Sequence, residues 1–266
     1  MASWQNAKIE ECARLLFQTR TKAFRLYDIP QHIRPQNLPE AYRVQSRLSE
    51  LLMKANGLKR VGYKAANTNE TSQKFLSLPD PFFGPLLVPE NRPNATANLT
   101  QTFKGISKLW VKLCEPEFAL QVGENGEISA VAPAIEIVHS SFLDWKQVGA
   151  LSLIADLACN GAWFRGPSVP ISQARLEGCS LYVNGKKHSD GHASKVLGSP
   201  MTVVNKLKAF LEKNGLDYIS QGSLKPGDWI STGVCVDPPY HICSPGDDIL
   251  VKFSGGIEPI QLKIEN

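Results

Sequence analysis

Two glutamates two positions apart, Glu115 and Glu117, sit in the segment Leu113-Cys114-Glu115-Pro116-Glu117-Phe118-Ala119-Leu120. In an extended chain, residues two apart project from the same face, with Cα atoms about 7 Å apart. The pair therefore aims two carboxylates at one spot, where they repel unless a proton or a cation lies between them. A solvated edge with paired acids is the ordinary alternative. A third carboxylate shifts the balance. Glu136 is the one ionisable residue in Ala130-Val131-Ala132-Pro133-Ala134-Ile135-Glu136-Ile137-Val138, and an unpaired carboxylate is costly to bury. The turn Gly123-Glu124-Asn125-Gly126 folds this run back toward the first. Glu115, Glu117 and Glu136 thus form a candidate ligand set whose all-oxygen donors suit Mg²⁺, Mn²⁺ or Ca²⁺ better than zinc.

Lys64 is the next candidate. Gly62-Tyr63-Lys64 places an ammonium at the end of a short apolar strand. Three carboxylates around one dication leave excess negative charge that a nearby lysine offsets. The same lysine could exchange protons if burial lowered its pKa. A surface lysine is the alternative.

These residues need elements to position them. Ile9, Ala13, Leu16 and Phe17 recur at helical spacing. A second helix opens at Pro39-Glu40-Ala41, carries Tyr42, Gln45, Leu48, Leu51, Leu52 and Ala55 along one side, and ends at Gly57. From Val61 onward the pattern predicts short strands and turns. The Pro-rich segment over 78–86 is expected to be an irregular, lid-like connection, and residues 91–101 are polar and weakly patterned. Glu117–Val122 and Ile128–His139 form the clearest hairpin, and Asn184-Gly185 marks a second one. A helix is expected over 146–158, and another from Ser199-Pro200 to Gly215. Lys225-Pro226-Gly227-Asp228 and Ser244-Pro245-Gly246-Asp247 each read as a turn feeding a strand. Strands interrupted by isolated helices, without a βαβ rhythm, argue for an α+β fold.

Composition narrows the function classes. The chain has 266 residues, 42% of them hydrophobic, enough for a globular core. Its net charge of +4 is spread out, which argues against a nucleic-acid partner. No apolar run approaches the roughly 20 residues that span a bilayer, and the N-terminus lacks the apolar stretch of a signal peptide. The expectation is a cytoplasmic protein with no membrane partner. The six cysteines contain no CxxC pair and read as buried free thiols. N-x-[ST] sequons begin at Asn69, Asn94 and Asn98. No glycine-rich phosphate loop is present.

Several segments, taken in order, resemble the fumarylacetoacetate hydrolase superfamily, in particular its 2-keto-4-pentenoate hydratase and oxalocrotonate decarboxylase branch. They are Val61-Gly62-Tyr63-Lys64, Phe83-Gly84-Pro85-Leu86, Glu115-Pro116-Glu117-Phe118-Ala119, Ala134-Ile135-Glu136-Ile137-Val138, Asp144-Trp145-Lys146, Ile154-Ala155-Asp156 and Leu197-Gly198-Ser199-Pro200, with Gly222 to Gly233 and Pro245-Gly246-Asp247 completing the set. The resemblance implies that Glu115, Glu117 and Glu136 hold Mg²⁺ or Mn²⁺ and that Lys64 is the active-site lysine. It implies a mixed β-roll or sandwich with a small helical N-terminal region (1–60) ahead of a β-rich metal-binding catalytic domain (61–266), assembled as a homo-oligomer. Phe82 stands where an acidic residue is common in this group, His139 where an Asp is, and Leu157 where an Asn is.

The implied substrate is a small 2-oxo acid that chelates the cation, which stabilises the enolate formed when a proton leaves C3. Hydration is the first expectation. Decarboxylation, hydrolytic C–C cleavage and a non-catalytic binding or oligomerisation role stand as alternatives. Lys64 is the candidate for proton transfer, His139 for a substitute base, and Asp156 for orienting Lys64 or a water.

Overall fold

Helix α1 (Ala2–Lys22) and helix α2 (Leu38–Asn56) lead the chain. A computed structural model describes residues 2–22, 24–90, 99–218 and 223–266. The polar stretch 91–98, with the sequons at Asn94 and Asn98, lies outside the described residues, as does Gly222. Helix α2 starts where Asn37 accepts a hydrogen bond from the Glu40 N–H, while Glu40 reaches back to accept from the Gln36 N–H. It ends at Gly57, as its sequence predicts. The sequon residue Asn69 caps the short helix α3 (Glu70–Leu76) by accepting from the Ser72 N–H.

Among the described residues, seven strands form the larger sheet: β1 (Leu58–Ala66), β2 (Phe82–Pro89), β4 (Cys114–Val122), β5 (Ile128–Val138), β6 (Asn160–Arg165), β7 (Val169–Pro170) and β10 (Trp229–Val234). Its order is β2-β1-β10-β4-β5-β6, with β7 beside β5 and only β1 and β10 parallel among the ordered strands. The sheet curls until β2 and β6 come into contact. The smaller sheet runs β3 (Thr100–Phe103), β12 (Ile260–Ile264), β11 (Asp248–Phe253), β8 (Gly178–Val183), β9 (Lys186–His192). Its side chains pack on the outer face of the larger sheet through ring pairs such as Phe118–Phe253 and Phe103–Phe164. Helix α2 covers another part of that face, where the Gln45 amide donates to the carbonyls of Phe83 and Ile154. Helices α4 (Gly149–Ala155) and α5 (Pro200–Tyr218) complete the α+β roll.

The inner face of the curl holds Leu86, Ala119, Ala132, Ala134, Trp163 and Trp229 as a separate apolar cluster. A small residue is needed where β2 meets the turn that follows α4. A Cβ at Gly84 would lie 2.8 Å from the Leu157 carbonyl and 2.9 Å from the Ala158 Cβ, so this approach requires glycine.

Three expectations change. The Pro-rich segment is not a lid, because β2 occupies 82–89. It lies at an end of the sheet order, where a proline's missing N–H breaks no ladder. The helix predicted over 146–158 shrinks to α4, after which Leu157, Ala158 and Cys159 all adopt positive φ. Helix α5 passes through Gly215 to Tyr218, since a single interior glycine costs only about 1 kcal/mol. Both hairpins form, by different turns. Asn184 and Gly185 both have positive φ, whereas at Asn125-Gly126 only the glycine does. There the Asn125 side chain accepts from the Glu127 N–H, and the Gly123 N–H donates to the Glu127 carbonyl. All six cysteines are buried and unbridged.

Candidate metal centre

Strand alternation and register bring the three glutamates together. Glu115 lies directly opposite Glu136 across the β4/β5 ladder, and Glu117 is one pleat further along the same face. Carboxylate oxygens of all three lie within 4.8 Å of one another. Glu117 and Glu136 have no solvent exposure, and Glu115 is half-buried. Lys64 pairs in register with Ser231 on β10 and is itself buried. Its ammonium lies 2.9 Å from Glu136 Oε1 and 2.7 Å from Oε2. It is therefore no surface lysine.

The electrostatics follow from this crowding. Burial and then the charge of Glu136 push the Glu115 carboxyl up to about 7. The same two causes raise Glu117 well above the usual carboxylate range. Burial raises Glu136, with the Lys64 ammonium opposing. For Lys64 burial favours the neutral form, but Glu136, Glu115 and Glu117 outweigh it and hold the ammonium above its ordinary range. The lowering that proton exchange was expected to need is reversed by three nearby carboxylates, of which Glu136 is in direct contact.

The donor set fits a hard divalent cation. Three carboxylates converge on one point with a single ammonium beside them, and the buried Glu117 Oε1 has no hydrogen-bond partner among the described residues. A dication there would supply the positive charge that the cluster lacks. Two further side chains hold these glutamates, and neither was singled out from the sequence. The Asn160 amide donates to Glu136 Oε1 at 3.3 Å, and the Ser231 hydroxyl donates to Glu117 Oε2. Their signal was thin: a polar side chain at the start of β6, and a Ser-Thr pair within the apolar strand β10.

Lys64 and Glu115 reach the wall of a cavity of about 130 Å³. Its apolar walls include Leu76, Phe82, Val138, Trp145 and Leu153, and Asn67, Thr68, Asn69 and Tyr240 supply polar groups. Phe82 lines this space while its neighbour Phe83 turns to the α2 side, where its N–H donates to the Tyr42 hydroxyl.

Asp156 and His139 are not brought to this cavity. Both Asp156 oxygens are engaged elsewhere: Oδ1 accepts from Arg20 Nε and Ser141 Oγ, and Oδ2 accepts from the Ser141 N–H. Asp156 therefore binds Arg20 and Ser141 and does not orient Lys64. His139 follows Glu136 by an odd number of residues and projects from the opposite side, where its Nδ1 accepts from the Trp110 N–H at 2.9 Å. Burial, then the charges of Arg20 and Arg25, drive its pKa well below the ordinary histidine value.

No family model matches the chain. Two curated relatives do: the 2-keto-4-pentenoate hydratase of Paraburkholderia xenovorans (strain LB400) and 2-keto-4-pentenoate hydratase 3 of Pseudomonas putida. Each is 26% identical over 262 residues, covering 92% of this chain and 91% of the relative. Among solved structures, 4-oxalocrotonate decarboxylase from Pseudomonas putida G7, complexed with magnesium and adipate, superposes with a TM-score of 0.81. The match covers 97% of this chain and 98% of that one at 19% identity. Fumarylpyruvate hydrolase from Pseudomonas aeruginosa, in complex with Mn²⁺ and pyruvate, gives a TM-score of 0.53 over 78% of this chain and 89% of that one, at 15% identity. At those identities the two structures speak for the fold, and the hydratases add similarity of sequence along nearly the whole chain. In sequence the chain is similar to 2-keto-4-pentenoate hydratases along nearly its whole length, and its fold is that of 4-oxalocrotonate decarboxylase, the resemblance its motifs carry.

Proposed function

We propose that this protein is a divalent-metal-dependent lyase acting on a small 2-oxo acid, with 2-keto-4-pentenoate hydration as its reaction. The observation that carries the reading is the convergence of Glu115, Glu117 and Glu136 beside Lys64, with Glu115 and Lys64 reaching the wall of a cavity of about 130 Å³. Pockets for drug-sized ligands have volumes of roughly 300–1,000 Å³, so this smaller space suits an acid of a few carbons. Similarity to two hydratases over most of the chain supports the reaction class.

Glu115, Glu117 and Glu136 would hold Mg²⁺ or Mn²⁺. A cation bound there supplies Lewis-acid stabilisation of the negative charge that develops when a 2-oxo acid loses a proton from C3. Lys64 offers its ammonium to the substrate's negative charge and, held protonated by its carboxylate neighbours, is placed to donate a proton. Asn160 orients Glu136, and Ser231 orients Glu117. Leu76, Phe82, Trp145 and Leu153 keep bulk water from the carbon chain. Asp156 and His139 serve the wall behind this site and not the chemistry.

In this reading residues 1–60 form a helical region and residues 61–266 the β-rich catalytic part. No helix among the described residues is long and apolar enough to cross a membrane, and the reading places the enzyme in the cytoplasm. It also makes the protein a homo-oligomer, supported by exposed Trp110, Leu143 and Ile242 around a groove beside the cavity.

The test is a screen of 2-oxo acids with and without Mg²⁺ or Mn²⁺, following loss of the dienol chromophore and release of CO₂ in parallel. Metal-dependent loss of the chromophore without CO₂ is the expected result. CO₂ release would move the assignment to decarboxylation, and metal binding without turnover of any acid would leave a binding module. Glu136→Gln should weaken Mn²⁺ binding by about tenfold or more while the protein stays folded. Unchanged affinity in calorimetry would remove Glu136 from the ligand set.

A further inference from the structure

We propose that Trp163 is a positioning residue for the cation site, acting through Ser231 to set how Glu117 presents its carboxylate. The inference rests on the reading of Glu115, Glu117 and Glu136 as cation ligands. Trp163 on β6, Ser231 on β10 and Glu117 on β4 are all buried on the inner face of the curled sheet. The indole Nε1–H donates to Ser231 Oγ at 2.8 Å, and Ser231 Oγ donates to Glu117 Oε2.

The direction of this chain is fixed by chemistry. An indole nitrogen only donates, and a hydroxyl carries one proton. With Trp163 donating to its oxygen, Ser231 turns that proton toward Glu117. Oε2 is thereby committed as an acceptor to protein, and Oε1, which no donor reaches among the described residues, is left for a cation. Without Trp163 the Ser231 hydroxyl could rotate, and Glu117 would lose its fixed orientation.

The register explains how an indole on β6 reaches a serine on β10 across two intervening strands. Glu117 lies opposite Ala134, and Ser231 lies opposite Ala119. These alanines leave the interior open for the Trp163 ring, which pairs in register with Glu136. Trp163 thus stands beside one ligand while supporting another.

Mn²⁺ binding to the full chain, measured by calorimetry after removal of bound metal, tests the proposal. Ser231→Ala should weaken binding by about tenfold, the range for loss of a group that orients a metal ligand. Trp163→Phe should weaken it by about threefold or more, as for loss of one neutral hydrogen bond. Ser231→Thr, which keeps the hydroxyl, should bind as the unaltered protein does. The double variant Trp163→Phe/Ser231→Ala should bind no more weakly than Ser231→Ala, because Trp163 acts through that serine. Unaltered affinity in Trp163→Phe would overturn the proposal, as would a double variant whose loss is the product of both single losses. Should Trp163→Phe fail to fold, the indole N–H resonances decide. One of them should shift on adding Mg²⁺ to the unaltered protein and stay fixed in Ser231→Ala. The same shift in both proteins would overturn the relay. If the unaltered protein binds no Mn²⁺, the cation reading itself has failed.

Discussion

Asp156 and Glu117 are both without solvent exposure, yet their surroundings differ in almost every other respect. Asp156 meets one guanidinium, one hydroxyl and one backbone N–H, and Arg20 also ties down the carbonyls of Asp156 and Asn160. Thr19 extends this network by donating to Ser141 Oγ. Charge is balanced and each carboxylate oxygen is bonded. Glu117 shares its space with two other carboxylates and one ammonium, and one of its oxygens lacks a partner among the described residues. A closed ion pair of the first kind holds α1 to the strained turn at Leu157, Ala158 and Cys159. An over-charged cluster of the second kind stores an affinity for a cation. Burial alone does not separate a structural carboxylate from a functional one; the balance of donors does.

The comparison can be broken experimentally, beginning with the largest effect. Lys64→Met should lower kcat/KM by about 10²–10⁴-fold, the usual contribution of a positioned proton-transfer group, with Mn²⁺ affinity retained. Full activity would remove Lys64 from the mechanism. Arg20→Met leaves Asp156 buried and unpaired, and urea denaturation should show a loss of about 3–5 kcal/mol. In EDTA, Glu117→Gln should be at least as stable as the unaltered chain, because it removes one of three repelling carboxylates. A loss as large as that of Arg20→Met would erase the distinction between the two regions. Adding Mg²⁺ at a hundredfold over its Kd should stabilise the unaltered chain by about 2.7 kcal/mol and Glu117→Gln by much less, read from denaturation midpoints.

The smallest effect is one of pH. His139 is held neutral in the folded protein, while the unfolded chain takes up its proton below about pH 6.5. Unfolding therefore binds a proton, and stability should fall as the pH drops from about 6.5 toward 5, by up to about 1.4 kcal/mol per pH unit from this residue. His139→Asn should have the shallower slope; equal slopes would show that His139 titrates alike in both states.

Much of this was legible in the chain itself. The period-two spacing of Glu115 and Glu117, the turn before Ile128, and the isolation of Glu136 among apolar residues placed three carboxylates on one face, and the β4/β5 register bears this out. Lys225–Asp228 and Ser244–Asp247 are matching turns into β10 and β11, each with its aspartate accepting from the N–H three residues earlier. Pro85 misled because a proline reads as a breaker unless its strand is known to lie at an edge. Asp156 and His139 misled because proximity in sequence to the strand that bears Glu136 does not say which side of the sheet a residue faces.

By itself, then, the sequence determined what is local: helix caps, hairpin turns, strand alternation, and the three acids whose mutual repulsion asks for a cation. Tertiary structure alone decided which distant groups answer them. Lys64 meets Glu136 across 72 positions and Ser231 meets Glu117 across 114, through a parallel pairing of β1 with β10 that no local pattern encodes. The same long-range packing gave Arg20 to Asp156. Local preferences act through bonds and turns a few residues long, whereas the partner of a buried charge is chosen by whichever strand or helix the whole core places against it.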